Sequence, residues 1–155
     1  MGNDNWSEEM ILSEDEIAEA LIASANQLRL GDLVGCAVGG QTGFDVAFLT
    51  ASQLLHAFEV KGGHPSWGCC QQSFDSGFAR LPQIASGLRS LRTLDNRVEH
   101  NVKPDLVSLA VPDTEHFRRH SGAFVYAFDV LGYGLYLVGP GAVECILPPR
   151  QIVPD

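Results

Sequence analysis

The sequence predicts a mixed α/β fold, in which one central sheet is flanked by helices in the order α-β-β-β-α-β, followed by a short helix and a C-terminal β hairpin. Two segments, 14–29 and 74–91, carry apolar residues at the three- and four-residue spacing of a helix. Short apolar runs bounded by glycine, proline or polar residues lie between and after them, as is typical of strands. Together these patterns indicate a sheet covered by helices.

Each predicted helix rests on an apolar stripe and on its end signals. Ser13 and Glu16 have the spacing of a capping box before the first helix, and Gly31 is typical of a residue that follows a helix end. Pro82 predicts a kink in the second helix. The two stripes are Ile17, Leu21, Ala25 and Leu28 in the first helix, and Phe74, Phe78, Leu81, Ile84, Leu88 and Leu91 in the second.

Three strands are predicted between the two helices. They cover 33–38, 44–49 and 54–61, and the last two form a hairpin. The glycine-rich segment 39–43 is a predicted turn.

After the second helix, a polar loop is predicted over 93–104 and a buried strand over 106–111. Asp113 or Thr114 is the predicted cap of the short helix. The apolar segment from 123 onward predicts two or three strands, with turns at 132–134 and 139–141.

Length and composition predict one domain over residues 1–155, with residues 1–12 as a flexible acidic N-terminus. No apolar run approaches the ~20 residues that cross a bilayer, so a cytoplasmic protein without a membrane is expected. The net charge of −9 disfavours nucleic acid as a partner. However, seven of the 19 acids lie in residues 1–19, and the remainder has 12 acids against 10 bases.

The cysteines and histidines give no metal-site pattern. Cys36 and Cys145 lie in apolar runs and are predicted to be buried thiols. Cys69 and Cys70 are adjacent, which is not the spacing of a zinc or redox motif. His116 and His120 have helical spacing but no third ligand, so a solvated helix face is expected there.

Charges inside the predicted hairpin indicate a functional site. Glu59 and Lys61 project to the same face of their strand, and Asp45 lies across from them if the register allows it. Two converging carboxylates suit Mg²⁺ (or Mn²⁺), and a nearby lysine suits a water or a developing phosphoryl charge. The alternative is that Glu59 and Lys61 form an exposed ion pair of little energetic weight on an edge strand.

From residue 13 to residue 112, this layout resembles the PD-(D/E)XK nuclease superfamily, the restriction-endonuclease-like fold. In that family an aspartate on the second strand and a Glu-x-Lys on the third form the active site. Asp45, Glu59 and Lys61 occupy those places, with 13 residues between the two acids. Phe44 stands where the motif has proline. The resemblance implies metal-dependent hydrolysis of nucleic acid, DNA above all, with Asp45 and Glu59 as metal ligands and Lys61 orienting the attacking water.

The resemblance also implies accessory residues. A first-helix glutamate joins the metal site in many members, and Glu19 is the better candidate here, with Glu16 second. Members often place a glutamine after the lysine. Three glutamines fit that place, namely Gln71, Gln72 and Gln83.

Further residues are candidates for contact with the substrate. His64 follows the lysine closely and is either a substrate contact or a loop residue. The candidate phosphate contacts are Arg80, Arg89 and Arg92, whose alternative is a solvated helix face.

Two other classes of protein fit the sequence. One is a non-catalytic module of the same fold, which binds a basic protein partner through its acidic N-terminal helix. The other is an acidic inhibitor or immunity-type protein, which requires no metal. For a nuclease that cuts two strands, a homodimer is a further expectation.

Overall fold

A six-stranded mixed sheet forms the centre of the computed structural model, which describes residues 11–37 and 39–152. The elements in chain order are α1 (Glu14–Ala23), α2 (Ala25–Leu28), β1 (Asp32–Cys36), β2 (Val46–Leu49), β3 (Leu55–Val60), α3 (Trp67–Ala85), β4 (Leu91–Arg92), β5 (Val98–Glu99), β6 (Leu106–Pro112), α4 (Glu115–Gly122), α5 (Val125–Leu131), β7 (Gly134–Val138) and β8 (Val143–Leu147).

The sheet has the strand order β1-β2-β3-β6-β7-β8. Strands β1, β2 and β3 form an antiparallel meander, β6 and β7 join it in parallel, and β8 closes the sheet as an antiparallel edge. Strands β4 and β5 form a separate two-stranded sheet. The predicted fold class is therefore confirmed, with one small sheet in addition.

Helices cover the two faces of the sheet unequally. Ile17 and Leu21 of α1 pack with Phe58 of β3 on one face, whereas Phe74 of α3 packs with Ala57 on the other. Because side chains alternate along a strand, the odd-numbered residues of β3 point to the α3 face. This alternation places Glu59 on the same side of the sheet as α3.

The first helix begins where the sequence predicts, but it is interrupted at Ser24. Both hydrogen bonds of the predicted capping box form, between the Ser13 hydroxyl and the Glu16 N–H (3.2 Å) and between the Ser13 N–H and the Glu16 carboxylate (3.0 Å). Leu12 is buried and accepts a hydrogen bond from the Gly63 N–H at 2.7 Å. The folded part therefore includes Leu12 of the segment predicted to be flexible, and residues 1–10 of that segment lie outside the described part.

The second helix, α3, begins earlier than predicted and ends sooner. Ser66 caps its start by accepting a hydrogen bond from the Cys69 N–H at 3.2 Å. Pro82 lies close to the C-terminal end, where the missing N–H costs one hydrogen bond and does not end the helix. The prediction of helix up to residue 91 was wrong, because Leu91 belongs to β4.

The segment predicted as strand from residue 123 contains the helix α5 instead. Phe124 and Phe128 are four residues apart and contact Phe74, at ring-centroid distances of 5.1 and 5.9 Å. The strand prediction was wrong because a short apolar run such as this one fits either a helix or a strand. The predicted strands after it are β7 and β8. The predicted polar loop 93–104 contains β5.

The burial of the cysteines was predicted wrongly. Cys36 is half-buried and Cys145 is exposed, because Cys145 lies on the edge strand β8. Cys70 is the buried thiol, on the face of α3 that packs into the core.

No helix within 11–37 and 39–152 combines the length and the apolar character required to cross a bilayer.

Gly77 of α3 provides a test of how closely this helix lies against the sheet. A Cβ at Gly77 would lie 2.7 Å from Leu109 Cδ1 and 3.1 Å from Lys61 Cγ, and Leu109 is fully buried. We therefore expect Gly77→Ala to lower the free energy of unfolding by about 1–3 kcal/mol, as overpacking does. Gly68→Ala on the same helix is the matched control, because a Cβ there meets nothing within 4 Å. Chemical denaturation measures both, and equal effects of the two variants would contradict the packing of α3 on β3 and β6.

Candidate active site

The register of the β2–β3 hairpin places Asp45 opposite Glu59. Val46 pairs with Phe58 in this antiparallel ladder, so the next residue of each strand continues the pairing. Both side chains therefore point to the α3 face. The convergence that the sequence left conditional on the register is present in the structure.

The carboxyl group of Asp45 has two partners. Its Oδ2 accepts a hydrogen bond of 2.7 Å from the Val60 N–H, and its other partner is the carboxyl group of Glu59. Burial raises the pKa of Asp45 above its ordinary value, while the Val60 N–H and the bond to Glu59 oppose that rise.

The pKa of Glu59 is strongly raised in this pair. Only 6% of its surface is exposed, and its burial, followed by the Asp45 charge, raises its pKa to about 8. The positive charges of Lys61 and Arg80 act in the opposite direction. Glu59 and Asp45 therefore share one proton, since two buried carboxylates this close do not both ionise readily.

Lys61 lies two residues after Glu59 and on the same face of the sheet. Its N–H donates to the Ala110 carbonyl at 3.0 Å, which fixes the chain where β3 ends beside β6. Its aliphatic stem lies beside Gly77 of α3, and its charge acts on both carboxyl groups. Asp45, Glu59 and Lys61 are thus brought together on one face, as predicted from the sequence.

The start of α1 supplies an acid that sequence reasoning missed. Glu14 lines the cleft beside the carboxyl pair, and its charge contributes to the raised pKa of Asp45. A Cβ at Gly62 would lie 3.0 Å from the Glu14 N atom, so the glycine after Lys61 allows the helix start to lie this close. In the sequence, the two glycines after Lys61 were the available indication that another element lies close to the chain at this point.

The predicted first-helix ligands do not occupy this position. Glu19 is exposed and does not line the cleft. Glu16 caps its own helix through Ser13. The structure therefore places Glu14, instead of Glu19 or Glu16, next to the carboxyl pair.

The site opens into a cleft of about 710 Å³. The acidic start of α1 forms one wall, with Glu14 and Asp15. A second wall carries Arg80 of α3 and Arg89 of the segment that follows it, and the glycine-rich loop 39–43 borders the opening. An acidic and a basic wall thus face one carboxyl pair.

The other predicted substrate contacts lie away from this cleft. His64, Gln71 and Gln83 do not line it, and neither does Gln72. The His64 carbonyl accepts a 3.3 Å hydrogen bond from the Cys70 thiol, which fits the loop interpretation of this residue. Arg92 donates to the Thr42 carbonyl at 3.1 Å and to the Asn96 side chain at 2.8 Å, so it braces the glycine-rich loop.

The carboxyl groups of Asp45 and Glu59 have the chemistry that would fit one Mg²⁺. Asp45 and Glu59 supply hard oxygen ligands, and Mg²⁺ is commonly held by one or two carboxylates. A cation would replace the shared proton and cancel the repulsion between the acids. Among residues 11–37 and 39–152, no group of three or more His, Cys, Asp or Glu side chains forms an all-protein metal site.

Comparison of the chain with models of protein families, with curated proteins and with solved structures gave no match.

The carboxyl pair predicts a pH-dependent stability. The pKa of Glu59 rises from an ordinary 4.5 to about 8 on folding, so between these pH values the folded protein binds more protons than the unfolded chain. In the absence of a metal, the free energy of unfolding should fall by up to about 1.4 kcal/mol per pH unit across this window. Glu59→Gln should lack this dependence and be more stable than the wild type at the upper end.

Thermal or chemical unfolding over a pH series measures the difference. Glu99→Gln, which removes an exposed carboxyl group on β5, is the control and should follow the wild type. Parallel stability curves for the wild type and Glu59→Gln would show that Glu59 does not hold the proton.

Proposed function

We propose that this protein is a metal-dependent nuclease that hydrolyses phosphodiester bonds by a PD-(D/E)XK-type mechanism. The observation that carries the proposal is the hydrogen-bonded Asp45–Glu59 pair with Lys61 on the same face of a cleft. The sequence motif and the order of helices and strands support the same assignment.

The distribution of cations supports an anionic substrate. All ten Lys and Arg residues lie in the described part of the chain. Four arginines are paired with carboxylates: Arg97 with Asp95, Arg118 with Asp113 and Glu144, Arg119 with Glu115, and Arg150 with Asp129. A fifth, Arg92, is bonded to the glycine-rich loop. Of the remaining five, Lys61, Arg80 and Arg89 line the cleft. The cations without an ion-pair partner are thus concentrated there.

Four residues of the cleft have a defined role in this mechanism, namely Asp45, Glu59, Lys61 and Arg80. A bound Mg²⁺ or Mn²⁺ supplies Lewis acidity to a phosphoryl oxygen and to the attacking water. Asp45 and Glu59 would hold the ion as carboxylates, with the shared proton released to solvent. Lys61 orients the water and stabilises the negative charge that develops on the phosphoryl oxygens. Arg80 binds the phosphate from the α3 side.

DNA is the proposed nucleic acid, a homodimer is the proposed assembly, and the cytoplasm is the proposed location. A basic protein partner for the acidic first helix belongs to the second candidate function, a non-catalytic binding module. One observation favours that candidate, because Asp45 and Glu59 satisfy each other's hydrogen bonds within the protein. The cleavage experiment separates the two candidates.

The two lysines of the chain provide a matched pair of variants. Lys61→Ala should lower the cleavage rate of DNA in Mg²⁺ or Mn²⁺ by at least about a hundredfold, because it removes charge stabilisation at the phosphoryl group. Lys103→Ala removes the same charge from an exposed residue outside the cleft and should cleave like the wild type. Glu59→Gln should lose activity as Lys61→Ala does.

Single-stranded DNA, double-stranded DNA and RNA are the substrates to assay, with folding of each variant checked by circular dichroism. A wild-type protein that cuts none of them would favour the binding module. Equal rates for Lys61→Ala and Lys103→Ala would refute the catalytic assignment.

A further inference from the structure

We propose that the cleft binds a single nucleic-acid strand at two phosphates: one at Lys61 and Arg80, and a second at Arg89 beside the glycine-rich loop 39–43. This inference rests on the proposed function and specifies its substrate. We call the group formed by Arg89, Ser90, Gly39 and Gly40 the second phosphate site.

The second phosphate site begins with an arginine that no carboxylate engages. Arg89 lines the cleft, and no acid among the described residues lies within ion-pair distance of it. The acids of the cleft lie instead at the carboxyl pair and at the start of α1. An uncompensated guanidinium in a cleft is a typical phosphate ligand.

The loop opposite Arg89 is fixed at one end and open at its tip. Arg92 holds the Thr42 carbonyl, and the Phe44 N–H donates to the Ser90 carbonyl at 2.8 Å. At the tip, Gly39 and Gly40 have φ of 57° and 82°, and a Cβ at either would meet nothing within 4 Å. No packing of the described residues therefore requires glycine there, and the open side allows a ligand to approach the main chain closely.

The charge distribution restricts this substrate to one strand. A duplex presents phosphates of two strands across a broad surface, and its binding requires many uncompensated cations. Outside the cleft, Arg29, Arg92 and Lys103 have no ion-pair partner among the described residues, Arg92 is hydrogen-bonded to Thr42 and Asn96, and the net charge is −9. Lys61, Arg80 and Arg89 suffice for two adjacent phosphates of a single strand.

Binding of a fluorescein-labelled oligothymidylate, measured by anisotropy in EDTA, tests the second phosphate site without hydrolysis. Arg89→Gln should weaken binding by about tenfold, as expected for one charge-assisted contact, and should reduce the salt slope by about 0.7. Arg29→Gln makes the same charge change at the exposed end of α2, outside the cleft, and should bind like the wild type. The duplex with oligoadenylate should bind more weakly than the single strand.

Gly40→Asn tests the loop separately. Asparagine tolerates a positive φ, and the open space leaves the fold undisturbed. The variant should keep the wild-type melting temperature and still bind the oligothymidylate less tightly. Unchanged binding by Arg89→Gln, tighter binding of the duplex, or no binding by the wild type would each overturn the proposal.

The outcomes also separate this inference from the nuclease assignment. Arg89-dependent binding without cleavage in Mg²⁺ or Mn²⁺ would remove the nuclease assignment and keep the second phosphate site. Cleavage by the wild type together with undiminished oligothymidylate binding by Arg89→Gln would keep the nuclease assignment and remove the second phosphate site.

Discussion

The hydrogen bond between the carboxyl groups of Asp45 and Glu59 is the interaction on which the rest of the site depends. Two largely buried acids remain this close because they share a proton, while Lys61, Arg80 and the Val60 N–H lie near the pair. The same proximity destabilises the doubly ionised form. In the proposed function, a cation takes the place of the shared proton and removes this repulsion.

The fold fixes the pair through three separate constraints. The β2–β3 register sets the two acids opposite each other, β6 holds the end of β3 through the Lys61 N–H, and α3 lies close enough at Gly77 to confine the lysine stem. Gly62 then brings the start of α1 over the same edge. The geometry of the site thus depends on how the helices pack on the sheet, and a substitution at Gly62 or Gly77 affects both.

The parts of this site that follow from local pattern were predictable from the sequence. The alternation along β3 placed Glu59 and Lys61 on one face, and the capping box placed the start of α1 at Glu14. The proximity of Glu14 to Asp45 was not predictable, because it depends on how α1 crosses the sheet. The helical state of α5 was missed for a related reason, since Phe124 and Phe128 reveal their shared face only against α3.

Calorimetric titration of the wild-type protein with Mg²⁺ at neutral pH, in two buffers of different ionisation enthalpy, tests the central claim most directly. If the Asp45–Glu59 pair holds a proton that the ion replaces, the wild type should release close to one proton for each Mg²⁺ bound. Glu59→Gln should bind weakly and release none. Binding of Mg²⁺ with no buffer-dependent heat, or equal binding by Glu59→Gln, would contradict the account.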